Sequence, residues 1–354
     1  MTIEAYGWNE SLQHQADDLT LEDCIPARII NQDQSAYTCV SNNGIFRARL
    51  TGKLHSQMRG GDRPAVGDWV LIRPFVDQAE GMVHHLFERH SCFSRKSAGN
   101  VTREQIIAAN IDVAFIVNGL DRDYNLRRME RYLTLVWDSG ANPVLILNKA
   151  DLCEDISTVL AEVDAIAFGI PVLLMSAESG DGLQQLDEHL QPGKTAVLIG
   201  SSGVGKSTIM NALIGSDIRD MGAVRTGDSR GRHTTTGREL FALPGGALII
   251  DTPGMREIQL WADEDALNQT FEELDAFAAN CRFRDCQHLN EPGCGVQEAL
   301  ESGELSQARF QSYLKQRKEL RFLNRKKDTH ARIEEHKRTK KLSKMIRDIG
   351  KRRK

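Results

Sequence analysis

Between Ile25 and Phe93 the chain alternates apolar and polar residues in short runs: Ala27–Ile30, Ala36–Val40, Ile45–Leu50, Trp69–Phe75 and Gly81–Phe87. A period of two sends one face of each run to a core and the other to water. Asn42-Asn43-Gly44 lies between two of the runs and supplies residues suited to a tight hairpin turn. Five short strands in so few residues predict a small β-barrel, with the OB-fold as first candidate. Residues 1–24 read as a loose polar lead.

The texture changes after the polar stretch Arg95–Arg103. Val113–Val117, Pro143–Leu147, Pro171–Met175, Val197–Ile199 and Ala247–Ile250 are compact apolar runs, as strands covered on both faces are. Leu126–Ser139 has helical spacing, and a second helical stretch precedes Pro171. Strands alternating with helices predict an α/β domain, a parallel sheet with helices on both faces. Asp263–Ala279 reads as helical and is followed by a Cys/His-rich knot. The expected division is a lead over 1–24, a barrel over 25–98, the α/β domain over 99–262, a helical metal-binding region over 263–325 and a basic tail over 326–354.

Composition narrows the class. With 354 residues, 40% hydrophobic and 27% charged, the chain is long enough for several domains. No run of about 18 apolar residues is present, so no transmembrane helix is expected. The first residues lack a basic start followed by an apolar stretch, so no secretory signal is expected. Seven cysteines are sparse and odd in number. They argue against a disulfide scaffold and for the reducing cytoplasm. Charge is unevenly placed. Lys315–Lys354 holds 18 Lys and Arg against 5 Asp and Glu, in a chain whose formal net charge is −4. A basic tail on an acidic body points to a polyanion, nucleic acid before an anionic membrane. Nothing in the heptad pattern asks for an obligate dimer, so a monomer is expected.

Gly200-Ser201-Ser202-Gly203-Val204-Gly205-Lys206-Ser207 matches GxxxxGK[ST], after an apolar strand and before a helical stretch that continues through Thr208. Glycines let successive backbone N–H groups turn toward phosphate oxygens. Lys206 would neutralise the β- and γ-phosphates and the Ser207 hydroxyl would sit on Mg²⁺. Asp251-Thr252-Pro253-Gly254 is a DxxG at the end of another strand, with Asp251 placed to hold Mg²⁺ through water and the Gly254 N–H to meet the γ-phosphate.

Asn148-Lys149-Ala150-Asp151 is an NKxD sequence. The Asp151 carboxylate can accept from guanine N1 and N2, donors that adenine lacks, so GTP is expected over ATP. Asn148 can bond the ring edge, the Lys149 stem can cover the base, and Ser176-Ala177 would close over the guanine O6. Here the base reader precedes the phosphate loop, the reverse of the Ras-like order. The same sheet with its connections rejoined elsewhere is a circular permutation. It sends the strand ending at Asp251 directly toward the C-terminal region, so nucleotide state at Gly254 is expected to bear on that region.

Cys281, Cys286, His288 and Cys294 form C-x4-C-x-H-x5-C, four soft ligands suited to one structural tetrahedral Zn²⁺. Cys24, Cys39, Cys92 and Cys153 read as inert.

A small barrel, the order NKxD, SA, GxxxxGKS, DTPG, and this zinc spacing together resemble the RsgA (YjeQ/EngC) family of circularly permuted P-loop GTPases dependent on the small ribosomal subunit. The resemblance covers about residues 25 to 320. It implies an OB-fold, GTP hydrolysis stimulated by the small (30S) subunit late in its assembly, release after hydrolysis, and contacts to 16S rRNA by the barrel and zinc domain. The basic tail lies outside the family's core pattern. Met255 stands where Ras-like enzymes carry the water-orienting Gln, so a slow intrinsic rate is expected. Gly231-Arg232-His233-Thr234-Thr235-Thr236 resembles the family's switch. Thr235 would cover Mg²⁺ and the γ-phosphate. His233 is the candidate to position water, with an RNA contact as its other reading. Arg230 or Arg232 is an alternative source of transition-state stabilisation.

Overall fold

The computed structural model describes residues 2–19, 21–33, 36–58, 63–96, 104–215, 238–251, 263–289 and 291–325. The basic tail lies outside them.

The five alternating runs form β1 (Ile25–Gln32), β2 (Tyr37–Ser41), β3 (Gly44–Leu50), β4 (Trp69–Pro74) and β5 (Glu80–Leu86), with α2 (Gly52–Gln57) between β3 and β4. Their order is β1-β2-β3-β5-β4, and β4 returns to pair with β1, closing the barrel. Only β3 and β5 pair in parallel. This is the OB arrangement expected from the sequence. Every second residue fills the interior, including Ala27, Ile29, Cys39, Phe46, Ala48, Val70, Ile72 and Val83. Burial pushes the Cys39 thiol up to about 12, which keeps it protonated and inert.

The N-terminal lead is not loose. A 3₁₀ turn (Ile3–Tyr6) and α1 (Glu10–Asp17) bury Ile3, Tyr6 and Leu12. Trp8 meets the ring edges of Trp69 and Phe87 at 5.0 and 5.5 Å. These apolar residues are too few and too irregularly spaced to show a period, yet they pack with Val40, Trp69, Leu71 and Phe87 on the outer side of the barrel strands, in the core cluster shared with the α/β sheet. A second departure lies near Arg95, where the expected polar stretch opens on the last two residues of β6 (Cys92–Lys96) and ends just before its antiparallel partner β7 (Glu104–Ala109).

The α/β domain contains β8 (Val113–Gly119), α3 (Leu126–Ser139), β9 (Asn142–Asn148), α4 (Ile156–Asp164), β10 (Val172–Leu174), β11 (Thr195–Ile199), α5 (Lys206–Ile214), β12 (Glu239–Ala242) and β13 (Leu248–Asp251). Spatial order is β10-β9-β8-β11-β13-β12, parallel except for β12. The strand feeding the phosphate loop, β11, therefore lies mid-sheet between β8 and β13 although β8, β9 and β10 all precede it in the chain, as a permuted order requires. Side chains of one strand part to opposite faces: Phe115 and Val117 join the layer of Leu186, Ile209 and Met210, while Ala114 and Ile116 join that of Met129, Leu133 and Val136.

Barrel and sheet are joined at several places among the described residues. Asn31 of β1 pairs with Glu239 of β12. Arg28, fully enclosed, donates to the carbonyls of Tyr6, Gly67 (3.1 Å) and Asn110 (3.1 Å) and to the Thr195 hydroxyl (2.8 Å). Desolvation lowers its pKa to about 10, so the guanidinium remains charged at neutral pH.

After β13 come α6 (Glu264–Thr270), α7 (Glu272–Ala278), α8 (Gly295–Ser302) and a helix over 307–325, α9. They dock on α3. Arg309 reaches Glu130 (2.8 Å), Glu273 (2.6 Å) and the Thr270 carbonyl (2.6 Å), and its guanidinium covers the Phe271 ring at 4.1 Å.

Candidate functional site

The motif residues meet at the C-terminal edge of the parallel strands, where open α/β sheets place their ligands. Asn148 ends β9, Ser176 and Ala177 follow β10, the phosphate loop follows β11, and Asp251 ends β13. Four segments far apart in sequence thereby converge.

The phosphate loop needs its glycines for space as well as for conformation. A Cβ on Gly200 (φ +142°) would stand 2.3 Å from the Val117 carbonyl oxygen. On Gly205 (φ +102°) it would stand 2.1 Å from Asn148 Nδ2. The loop runs into α5, which begins at Lys206. Lys206 Nζ lies across the loop, donating to the carbonyls of Gly200 (2.7 Å) and Ser201. An ammonium, a helix N-terminus and a glycine-rich turn together form a cradle for phosphate oxygens.

Asn148 links two of the converging loops. Its Nδ2 donates to the Val204 carbonyl (2.8 Å) and its Oδ1 accepts from the Ala177 N–H (2.9 Å). The backbone partners fix the amide orientation, one an acceptor and the other a donor. The buried side chain thus ties the phosphate loop to the Ser176-Ala177 loop. Lys149 adopts φ 63°, a left-handed conformation uncommon outside glycine. Its Nζ pairs with Asp121 Oδ2 at 2.5 Å, and this bond is the main reason the Asp121 carboxyl is held below its usual range. Asp151 is exposed in the short 3₁₀ turn that follows, free to meet a ligand. Ser176 is buried, and its N–H donates to the Asp181 carbonyl.

Two groups near the loop carry no sequence motif. Arg128, in the first turn of α3, donates to Ser201 Oγ (2.6 Å) and pairs with Asp123 (2.5 Å). Glu239 lies opposite Asp251 across the β12–β13 ladder. Burial, and then the Asp251 charge, push the Glu239 carboxyl up. The hydroxyl of Ser207 and the carboxylate of Asp251 are hard oxygen donors of the kind Mg²⁺ takes. The switch residues Arg230, Arg232, His233 and Thr235, with Gly254 and Met255, lie outside the described residues.

In the C-terminal helices Cys281, Cys286, His288 and Cys294 bring their ligand atoms within 4.8 Å of one another. His288 Nδ1 is 3.5 Å from both Cys281 and Cys294 Sγ, which are themselves 3.9 Å apart. Zinc bonded at its usual lengths, about 2.3 Å to sulfur and about 2.0 Å to nitrogen, has tetrahedral edges of about 3.5–3.8 Å. The donor set is therefore compatible with a closed structural zinc site. Among the described residues all seven cysteines are unbridged, and no helix is long and apolar enough to cross a membrane.

Comparison with known proteins agrees with this geometry. The family model described as RsgA GTPase matches residues 86–261. A model of ABC transporters matches 183–343, a span that includes the phosphate loop common to both families but omits Asn148–Asp151. The small ribosomal subunit biogenesis GTPase RsgA of Syntrophotalea carbinolica is 46% identical over 90% of each chain. Among solved structures, YjeQ from Thermotoga maritima is 28% identical with a TM-score of 0.63, covering 84% of this chain and 98% of its own. YloQ, described as a circularly permuted GTPase, is 28% identical with a TM-score of 0.61 over 85% and 96%. The similarity runs along nearly the whole length of these relatives, and the chain belongs to the RsgA GTPase family.

Proposed function

We propose that this protein hydrolyses GTP to GDP and phosphate during late assembly of the small (30S) ribosomal subunit, is stimulated by that subunit, and leaves it after hydrolysis. The observation that carries the reading is the meeting of Asn148–Asp151, Ser176-Ala177, Gly200–Ser207 and Asp251 at one sheet edge. Relatives 46% and 43% identical to this chain are named for small ribosomal subunit biogenesis.

In this reading Gly200 through Gly205 and Thr208 wrap the phosphates with backbone N–H groups, and Lys206 transfers its bonds from the loop carbonyls to phosphate oxygens. Asp151 accepts from guanine N1 and N2. Lys149 lies along the base, Ser176-Ala177 closes over O6, and Asn148 holds the two loops in register. Ser207 and Thr235 would hold Mg²⁺, with Asp251 reaching it through water, and the ion would supply charge neutralisation on the phosphates. Gly254 meets the γ-phosphate and His233 orients water. Cys281, Cys286, His288 and Cys294 hold one structural Zn²⁺. The barrel, the zinc domain and the basic tail contact 16S rRNA. The protein works as a cytoplasmic monomer, divided into domains at about residues 24, 98, 262 and 325.

The test is GTP turnover with and without purified small subunits, alongside Lys206→Ala. Stimulation by small but not large subunits, abolished by the substitution, supports the reading. Equal turnover under all conditions refutes it.

A further inference from the structure

The connection between β8 and α3 touches both halves of the nucleotide site, and the helix it enters also bears the C-terminal helices. At one end Asp121 holds Lys149 of the base reader, Nζ to Oδ2 at 2.5 Å. Seven residues later Arg128 holds Ser201 of the phosphate loop, Nη1 to Oγ at 2.6 Å, while Asp123 anchors the same guanidinium at 2.5 Å. Asn125 caps the helix between them, accepting from the Arg128 N–H at 3.0 Å. The chain from Asp121 to Arg128 thus forms a bracket across the back of the site.

Beyond the bracket, α3 faces the C-terminal helices for the next two turns. Glu130 is fully enclosed between Arg127 and Arg309. Arg131 forks onto Glu319 with bonds of 2.8 and 2.7 Å. The Thr134 hydroxyl meets Thr270 (3.0 Å) and Gln316 (3.1 Å). The opposite side of α3 is held by the sheet core through Met129, Leu133 and Val136. Arg128, Glu130 and Arg131 fall within four consecutive residues of one helix, so a shift of the helical domain that tilts this turn also moves the guanidinium on Ser201. A hydrogen-bonded helix turn does not deform independently at neighbouring positions.

We propose that the β8–α3 bracket is the element through which the C-terminal domain controls nucleotide affinity, with Asp121 and Arg128 as positioning residues and the contacts of Glu130 and Arg131 as the input. The proposal rests on the nucleotide-site reading above. It adds a route through α3, separate from the chain that leaves β13.

The experiment is a double-mutant cycle on the full-length protein, read by titration with a fluorescent GDP analogue and a fluorescent non-hydrolysable GTP analogue. Arg128→Ala perturbs the site end. Glu319→Ala perturbs the C-terminal end at a half-exposed pair, so the fold is retained; Arg309→Lys is a second, milder input variant that preserves charge at Glu130. Unfolding in urea is recorded for each protein. Arg128→Ala is expected to weaken binding about 5-fold to 20-fold, and Glu319→Ala about 2-fold to 5-fold although it touches no nucleotide-site residue, in the range of allosteric couplings. The double variant is expected to be no weaker than Arg128→Ala alone. Arg128→Lys is expected to recover part of the affinity. Strictly multiplicative losses, or unchanged affinity in both Glu319→Ala and Arg309→Lys, would overturn the proposal. Failure of the unsubstituted protein to bind either analogue would instead overturn the nucleotide-site reading.

Discussion

Truncating Asn148 tests whether this side chain ties two loops or reads a base edge. The amide is 2% exposed and both its ends meet backbone, Val204 O at 2.8 Å and Ala177 N at 2.9 Å. Asn148→Ala leaves a buried carbonyl and a buried N–H without partners. Each such group costs about 1–3 kcal/mol, so the pair costs about 2–4 kcal/mol once partial relaxation is allowed. The loss belongs to the nucleotide-free protein and is expected in urea unfolding of that state. It returns in binding to the extent that nucleotide must reorder the two loops. At tenfold per about 1.4 kcal/mol, GDP affinity falls by at most roughly 30-fold to several-hundred-fold. Asp151→Asn serves as the contrast, since Asp151 is exposed. It should leave stability unchanged while weakening guanine recognition, because an amide nitrogen then faces N–H donors. The decisive result is the stability of Asn148→Ala without nucleotide. Wild-type stability combined with weakened binding would refute the tie and return Asn148 to the base edge.

Metal analysis of the purified protein should give one zinc per chain, and Cys294→Ser should lose most of it along with at least ~2 kcal/mol of stability; full zinc content in that variant would exclude the site. Glu239 carries a raised carboxyl, so between that raised value and its ordinary 4.5 the folded state binds a proton that the unfolded state does not. Stability is therefore gained as pH falls through this window. Glu239→Gln should be more stable than the unsubstituted protein at neutral pH, with the difference vanishing near pH ~4; an unchanged pH profile of unfolding would refute this. Arg28→Met should remove a donor from the carbonyls of Tyr6 and Asn110, leaving the Gly67 carbonyl its bond from Asn110 Nδ2, and cost about 2–4 kcal/mol in urea unfolding; a loss below about 1 kcal/mol would show that the barrel and sheet are held by other contacts.

Much of the fold was legible because its signals are local. A strand of the barrel announces itself by alternation within five or six residues, and Leu126–Ser139 by its helical stripe, which the structure reproduces at both ends. The phosphate loop and the NKxD sequence were legible for the same reason: each packs its chemistry into a short run. The permuted order of the motifs was legible too, because each follows its own apolar run; the order of strands within the sheet was not. What escaped the sequence depends on distance. Arg128 meets Ser201 across 73 positions, and Arg28 meets Thr195 across 167. Neither arginine differs in its surroundings from those that lie in water. The order of the lead is not legible because Ile3, Tyr6 and Leu12 are held by residues far along the chain, Val40, Trp69, Leu71 and Phe87 among them, which have no counterpart in their spacing. Strand β12 escaped because a run of four residues is too short to show a period.

The same long separations bear on how the nucleotide site can fail. Asn148 reaches Ala177 over 29 positions and Val204 over 56. None of these bonds can form before β9, β10 and β11 have paired, so the site is a product of the closed sheet and not of any loop alone. Closing such contacts late is the cost of non-local pairing. Substitutions at Asn148 and Arg128 should therefore lower stability and nucleotide affinity together, because the bonds they remove join segments that the sheet has gathered. Asp151 stands outside that coupling. Its backbone is set by the 3₁₀ turn after β9 while its carboxylate is exposed, which leaves base preference adjustable without loosening the domain. Specificity is placed where it can vary, and assembly of the site where it cannot.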